Sequence, residues 1–323
     1  MSELHMNNSN ESKEWQLLEK MLLSTVTEQR RARRWRVFFK LFVFINIFVM
    51  IYLFFTASSQ MTISQSGAHT ALIDISGVIS DDAEASADNI TSGLRQAFEN
   101  KAAKGIILRI NSPGGSAVAS DTVYSEVKRL QVLYPKKVYA VITDIGASGG
   151  YYIAASADEI YANPASIVGS IGVRLGEGFG FEKLIEKLGI ERRILTAGEH
   201  KALLDPFAPI KQDELLHMKN MLNGVHGQFI ERVKQGRGDR LSENKDIFSG
   251  LFWNGFDAKK LGLIDGFATA GDIARDKIKQ EELVDYTVRQ SPAERFFEKM
   301  GVVMTRAAIS GLGKVEFSAL MTP

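Results

Sequence analysis

The chain has 323 residues, of which 45% are hydrophobic and 24% charged, and its formal net charge is +1. This composition predicts a packed core in one large or two modest domains, and the small net charge excludes bulk attraction to nucleic acid. The chain has no cysteine, which excludes disulfides, thiolate catalysis and cysteine metal sites. Because its histidines lack metal-binding spacing, we expect no metal and no other cofactor.

The first feature along the chain is an apolar run at residues 37–57 (VFFKLFVFINIFVMIYLFFTA), which carries one charge, at Lys40. The run is long enough to span a bilayer as a helix. Five arginines precede it: Arg30, Arg31, Arg33, Arg34 and Arg36. Residues 56–70 contain no Lys or Arg, so the positive-inside rule places the N-terminus in the cytoplasm and the remainder outside. A cleaved signal peptide starts earlier and is shorter, so we expect a retained signal-anchor.

From residue 70 onward, apolar runs alternate with helical patterns, which predicts an α/β fold with a mainly parallel sheet. The predicted strands are 71–75, 105–110, 138–143 and 159–162. The predicted helices are 86–100, 120–133, 148–157, 211–236 and 256–282. The expected organisation is a cytoplasmic segment at 1–36, the anchor at 37–57, a linker at 58–69 that includes His69, a folded domain at 70–290 and a C-terminal tail at 291–323.

Ser148 is the candidate nucleophile. It lies in the glycine-rich sequence GASGG at 146–150, directly after an apolar strand, as a serine does on a sharp strand-to-helix turn. A helix N-cap is the alternative interpretation. The GxSxG pattern also occurs in α/β-hydrolases, but the late histidine of that class is missing, because 97 residues follow the last histidine, His226.

A second glycine loop, SPGG at 112–115, follows the preceding strand and opens a helix. Backbone N–H groups at such a position are free to bind the oxyanion of a tetrahedral intermediate. The same sequence is also a common turn. Its place one strand and one helix before Ser148 favours the functional interpretation.

A serine hydroxyl needs a base beside it, and the sequence GEHK at 198–201 offers His200 or Lys201. A lysine acts as a base only when its amine is neutral, a form that burial favours. Glu199 would favour the charged form instead, so the residues alone leave the choice open. His217 and His226 fall in a helical pattern, which is typical of surface or packing positions.

Four motifs together carry a family resemblance: RINSPGG at 109–115, ASGGYY at 147–152, GSIGV at 169–173 and GEHK at 198–201. In these motifs and their order, over residues 70–280, the chain resembles the short, single-body form of the signal peptide peptidase A family, which are membrane-bound bacterial serine peptidases. The resemblance implies a Clp protease-like, or crotonase-like, fold behind an N-terminal transmembrane helix.

The same resemblance implies roles for individual residues. Ser148 would be the nucleophile and Lys201 the general base, with Gly115 and Gly149 as oxyanion-hole residues and Ser170 hydrogen-bonding the lysine amine. Family members assemble into membrane-facing bowls in which neighbouring protomers supply the serine and the lysine. The expected partners are therefore peptide substrates, the membrane and further copies of this chain, and not nucleic acid.

The expected function is a serine endopeptidase that degrades hydrophobic, membrane-derived peptides such as cleaved signal peptides, at the outer or periplasmic face of a bacterial inner membrane. Four apolar residues are expected to line the substrate groove, although they fit a core equally well: Ile167, Val168, Ile171 and Val173. Two other hypotheses remain. One is a catalytically silent oligomeric membrane scaffold, and the other is a crotonase-type acyl-CoA enzyme.

Overall fold

The computed structural model describes residues 31, 33–52 and 67–289. Helix α1 (Arg33–Tyr52) is long and apolar enough to cross a membrane, by length and composition. It begins before the predicted anchor at 37–57, whose last residues, 53–57, lie outside the described part. Residues 1–30, most of the expected linker and the expected C-terminal tail also lie outside it. Helix α1 and residues 67–289 belong to separate compact units.

An eight-stranded, mainly parallel sheet forms the centre of residues 67–289. Its strands are β1 (His69–Ser76), β2 (Ala103–Ser112), β3 (Val138–Ala147), β4 (Glu159–Ala162), β5 (Ile167–Gly169), β6 (Phe252–Asn254), β7 (Gly266–Phe267) and β8 (Leu283–Asp285). The strand order is β6-β5-β3-β2-β1-β8, and β4 pairs with both β3 and β7. Only β6 pairs antiparallel among the described strands. The predicted α/β fold with a mainly parallel sheet is confirmed.

Seven helices follow α1 in the described residues: α2 (Ala87–Glu99), α3 (Ala117–Leu133), α4 (Gly149–Ala154), α5 (Glu182–Lys187), α6 (Gln212–Arg237), α7 (Gly255–Lys260) and α8 (Ala270–Ile273). Serine N-caps start α2 and α3, where Ser86 and Ser116 accept hydrogen bonds from backbone N–H groups three residues on. The prediction of a single helix at 256–282 is wrong. Gly262, at φ 76°, ends the turn after α7, and the chain then pairs with β4 before α8 begins.

The core lies on both faces of the sheet. Helix α2 packs against β1 and β2 and also contacts α3. On the opposite face, Ile273 and Ala274 cover a buried cluster that includes Leu72, Tyr139 and Tyr161. The linker was expected to reach residue 69, but His69 is the first residue of β1 and is fully buried, with its Nε2 2.9 Å from the Tyr286 hydroxyl. Strand β1 therefore begins earlier than its apolar residues indicate.

Strand β3 places the two glycine loops side by side. It is long enough to pair with β4 through its first half and with β5 through its last residues. The neighbouring strand β2 runs parallel to it, so both strands end at the same edge. The loop at 113–116 follows β2 and Ser148 follows β3, at the carboxyl edge where open α/β sheets hold their ligands.

Candidate active site

Ser148 has an unusual backbone conformation, with φ 50° and ψ −123°. Its N–H donates to the Gly169 carbonyl at 2.8 Å, and its carbonyl accepts from the Tyr152 N–H at 2.9 Å. A conformation of this kind costs a residue other than glycine about 1–3 kcal/mol and persists where the surroundings impose it. The side chain makes no capping hydrogen bond to α4. Ser148 thus occupies the N-cap position of α4, but its hydroxyl does not make the capping hydrogen bond.

The loop after β2 lies directly against Ser148. A Cβ on Gly114, whose φ is 103°, would stand 2.7 Å from the Ser148 Cβ, and a Cβ on Gly115 would stand 2.1 Å from the Ile79 carbonyl oxygen. Both distances are shorter than real Cβ contacts, so positions 114 and 115 have no room for a side chain. Because glycine has no side chain, the backbone of these two residues can pack closely against Ser148.

The two predicted oxyanion donors belong to neighbouring stretches of backbone. A Cβ on Gly149 would lie 3.2 Å from the Gly115 nitrogen. Gly149 is the first residue of α4, so its N–H has no acceptor within the helix. Among the described residues the Gly115 N–H has no backbone acceptor either. The arrangement leaves two donors beside Ser148 for a ligand oxygen.

Contacts to three different parts of the chain hold residues 169–171, at the end of β5. The Gly169 carbonyl accepts from Ser148, and the Ser170 N–H, at a residue with φ 53°, donates to Leu251 at 2.7 Å. Nε2 of His226 lies 2.9 Å from the Ile171 carbonyl oxygen. Ser170 is thus held close to the Ser148 segment. Sequence reasoning treated His226 as a surface or packing residue, and no local pattern could show a partner 55 positions away.

The four predicted groove residues separate into two pairs. Val168 and Ile171 are fully buried, so their side chains belong to the core. Ile167 is 39% exposed and Val173 is half-buried. Only this second pair is accessible to a substrate.

A polar and aromatic cluster holds the helix that follows Ser148. The Tyr152 hydroxyl donates to Asp121 at 2.8 Å, Asp121 also accepts from Arg232 at 3.0 Å, and the Tyr152 ring stacks on Phe229. Burial, followed by the hydrogen bond to Asp121, raises the pKa of Tyr152. These contacts join α3, α4 and α6, so α4 cannot turn without disturbing both neighbours. Sequence reasoning did not single out these residues.

Lys201 lies in an exposed loop of successive turns. Its N–H donates to the Gly198 carbonyl at 3.1 Å, and its side chain is exposed. No hydrogen bond joins Lys201 to Ser148 within the described chain. The pairing of the two predicted catalytic side chains therefore stays a prediction.

Residues 172–211, which we call the arm, carry this loop. Asp205 accepts from Arg192 at 2.8 Å, and the hydrogen bond from Arg192 lowers the pKa of Asp205. The Phe181 ring stacks on Phe207. These contacts fold the arm back on itself and give the Lys201 loop a defined shape.

The arm also exposes many apolar side chains: Leu175, Phe179, Leu184, Leu188, Ile190, Ile194, Leu195 and Ile210. Leu195 is completely exposed. Exposed apolar side chains in such number are typical of an interaction surface.

Comparison with known proteins relates this geometry to a family. The model of peptidase family S49 matches residues 133–284, and the Clp protease model matches residues 58–168. A protein of Synechocystis sp. named as a protease is 34% identical over 190 residues, which cover 57% of this chain and 68% of that protein. The chain belongs to peptidase family S49. Its fold is Clp protease-like, as the sequence predicted.

Two further relatives extend the comparison. A protein of Enterococcus faecium named as a signal peptide peptidase is 28% identical over 240 residues, 71% of this chain and 69% of that protein. A Brucella abortus protein named as a Na(+)/H(+) antiporter is 46% identical over 190 residues, 58% of this chain. The match spans only 26% of that Brucella protein. That name therefore describes a protein of which this chain matches about a quarter.

Proposed function

We propose that this S49 member is a membrane-anchored serine endopeptidase with a Ser148–Lys201 dyad. The observation that carries the proposal is Ser148 itself, held at positive φ at the end of β3 with its hydroxyl free of α4. Within the described residues, the Gly115 and Gly149 N–H groups beside it have no acceptor. Membership of a peptidase family supports the reaction class.

In the proposed mechanism a neutral Lys201 amine takes the proton of the Ser148 hydroxyl, and Oγ attacks the scissile carbonyl carbon. The Gly115 and Gly149 N–H groups hold the oxyanion, each contributing about 3 kcal/mol. The lysine ammonium then gives its proton to the leaving amine. A water molecule, deprotonated by the same amine, hydrolyses the acyl-enzyme. Ser170, held near Ser148, accepts a hydrogen bond from the lysine amine and orients it.

We propose that neighbouring protomers share the dyad. Glu214 of helix α6 accepts a hydrogen bond from His200, the residue before Lys201. On the same helix, Nε2 of His226 lies within hydrogen-bond distance of the Ile171 carbonyl oxygen, in the segment beside Ser148. These contacts are twelve residues apart, which corresponds to about 18 Å of helix. The Lys201 side chain is exposed, and a neighbouring copy seated on the apolar arm would cover it. A Clp protease-like fold is consistent with such a homo-oligomer.

The proposed substrates are hydrophobic peptides derived from the membrane, including cleaved signal peptides. Ile167 and Val173 are the accessible apolar residues beside the Ser148 segment and would line the groove. Helix α1, with arginines before it, would anchor the chain in a bacterial inner membrane. The N-terminal segment would then be cytoplasmic, and the peptidase domain at 70–290 would face the periplasm.

The test compares detergent-solubilised wild type with Ser148→Ala and Lys201→Ala on an unstructured casein substrate and with a serine-reactive fluorophosphonate. We expect cleavage and labelling by the wild type alone. Equal cleavage by all three proteins would contradict the dyad. A silent scaffold or a crotonase-type enzyme would neither cleave casein nor take the label.

A further inference from the structure

Glu214 is the one buried residue between Gly172 and Gln228, a stretch that the structure describes completely. Burying a carboxylate is unfavourable unless it has hydrogen-bond partners. Its Oε1 accepts from Nδ1 of His200 at 3.1 Å and lies 3.4 Å from Nζ of Lys211. Glu214 is thus a fixed polar point in a largely exposed region, as is the buried Asp205 carboxylate beside Arg192.

His200 connects Glu214 to the Lys201 loop. It directly precedes Lys201, and its carbonyl accepts from the Leu203 N–H at 3.2 Å, which closes the turn around Lys201. Its ring is bonded to Glu214, which lies in the first turn of α6. One residue therefore shapes the turn and also ties it to a long helix.

We propose that His200 and Glu214 are positioning residues for Lys201. The Nδ1–H of His200 donates to the Glu214 carboxylate and so directs the Lys201 side chain from the end of α6. The inference rests on the proposed function, in which Lys201 is the base. It differs from a mechanism in which His200 is itself the base, because that role requires its second nitrogen, Nε2.

Asparagine at position 200 separates these two roles, because it keeps a donor at the place of Nδ1 but has nothing at the place of Nε2. In the full-length protein we expect His200→Ala to lower kcat about 10- to 100-fold with little change in KM, since small misplacements of a catalytic group have effects of this size. His200→Asn should recover most of that loss. His217→Ala, which removes an exposed histidine of α6, is the matched control.

Amide hydrogen exchange of residues 198–208 provides a readout that does not depend on catalysis. We expect faster exchange in His200→Ala and wild-type exchange in His200→Asn and His217→Ala. A second test is His200→Ala combined with Glu214→Ala, which should lower kcat no further than His200→Ala alone, because both changes break the same contact.

Each outcome decides between the alternatives. Unchanged exchange in His200→Ala, or faster exchange with unchanged kcat, overturns the positioning role. A His200→Asn variant as inactive as His200→Ala also overturns it and makes His200 the base. If Lys201→Ala keeps wild-type activity, the proposed dyad fails, and hydrogen exchange alone then decides whether His200 holds the loop.

Discussion

Ser148 presents its hydroxyl at the end of β3 through a backbone conformation that is energetically unfavourable. Its positive φ directs the residue out of the end of β3, and the Gly169 and Tyr152 backbones hold it there. Residues with a Cβ disfavour this conformation, whereas glycine adopts it readily. We therefore expect part of the stability of the fold to be lost in presenting the hydroxyl.

Ser148→Gly should be more stable than Ser148→Ala by about 1 kcal/mol, because glycine relieves the strain and both variants lack the hydroxyl. Both should be inactive. Chemical denaturation in detergent measures the difference. Ser120, a buried residue within α3, is the control, since there alanine should be the more stable of the two substitutions. Equal stability of the two Ser148 variants would mean that the backbone is unstrained.

The Lys201 amine can be removed and restored chemically, since the chain has no cysteine. We expect Lys201→Cys to lose activity by a factor on the order of 10³, the usual contribution of a general base. Aminoethylation of the new thiol should restore much of the activity, because it places an amine near the lost position. Alkylation with iodoacetamide, which adds no amine, is the control. Equal rescue by both reagents would contradict a base role for Lys201.

At the scale of elements, helices α2 and α3 are joined through one carboxylate. Glu126 of α3 accepts from Arg129 on the same helix and from Arg95 on α2. These hydrogen bonds, that of Arg129 first, lower the pKa of Glu126 from its ordinary value of 4.5 to about 2. This pairing holds together α2 and α3, the helices that follow β1 and β2. It thereby stabilises the part of the sheet that carries the site.

Because the folded state lowers this pKa, the stabilisation is present above about pH 4.5 and is lost as the pH falls towards 2. Glu126→Gln should reduce the free energy of unfolding by about 1 kcal/mol at pH 7, since its arginine partners are half exposed. The variant should also lose less stability than the wild type on acidification. Glu177→Gln, in the exposed pair with Arg174, is the control and should change little. Parallel pH curves for wild type and Glu126→Gln would contradict the assignment.

At the scale of the whole molecule, the arm and the nucleophile differ in how far their neighbouring side chains are buried. The Ser148 side lies among buried residues, whereas the arm exposes a long series of apolar side chains. A second copy of the chain would cover these side chains and bring a foreign Lys201 to each Ser148. In a closed ring every protomer would give its lysine to one neighbour and receive one from the other.

Co-expression of Ser148→Ala with Lys201→Ala tests this arrangement. If the dyad is shared, random mixing should produce about a quarter of the wild-type sites, since a Lys201→Ala protomer still supplies serine and a Ser148→Ala protomer still supplies lysine. Each variant alone should be inactive. If one chain supplied both residues, the mixture would have no activity, because every protomer would carry a defect.

The sequence by itself determined the features that depend on neighbouring residues. Apolar length predicted the apolar helix α1, alternating runs predicted the parallel sheet, and glycines around Ser148 predicted a sharp turn, because periodicity and φ preferences are local. The tertiary structure alone decided which distant residues meet. It buried His69 in β1, gave His226 and Glu214 their partners and broke the helix predicted at 256–282. These contacts join positions many residues apart, and no local pattern encodes them.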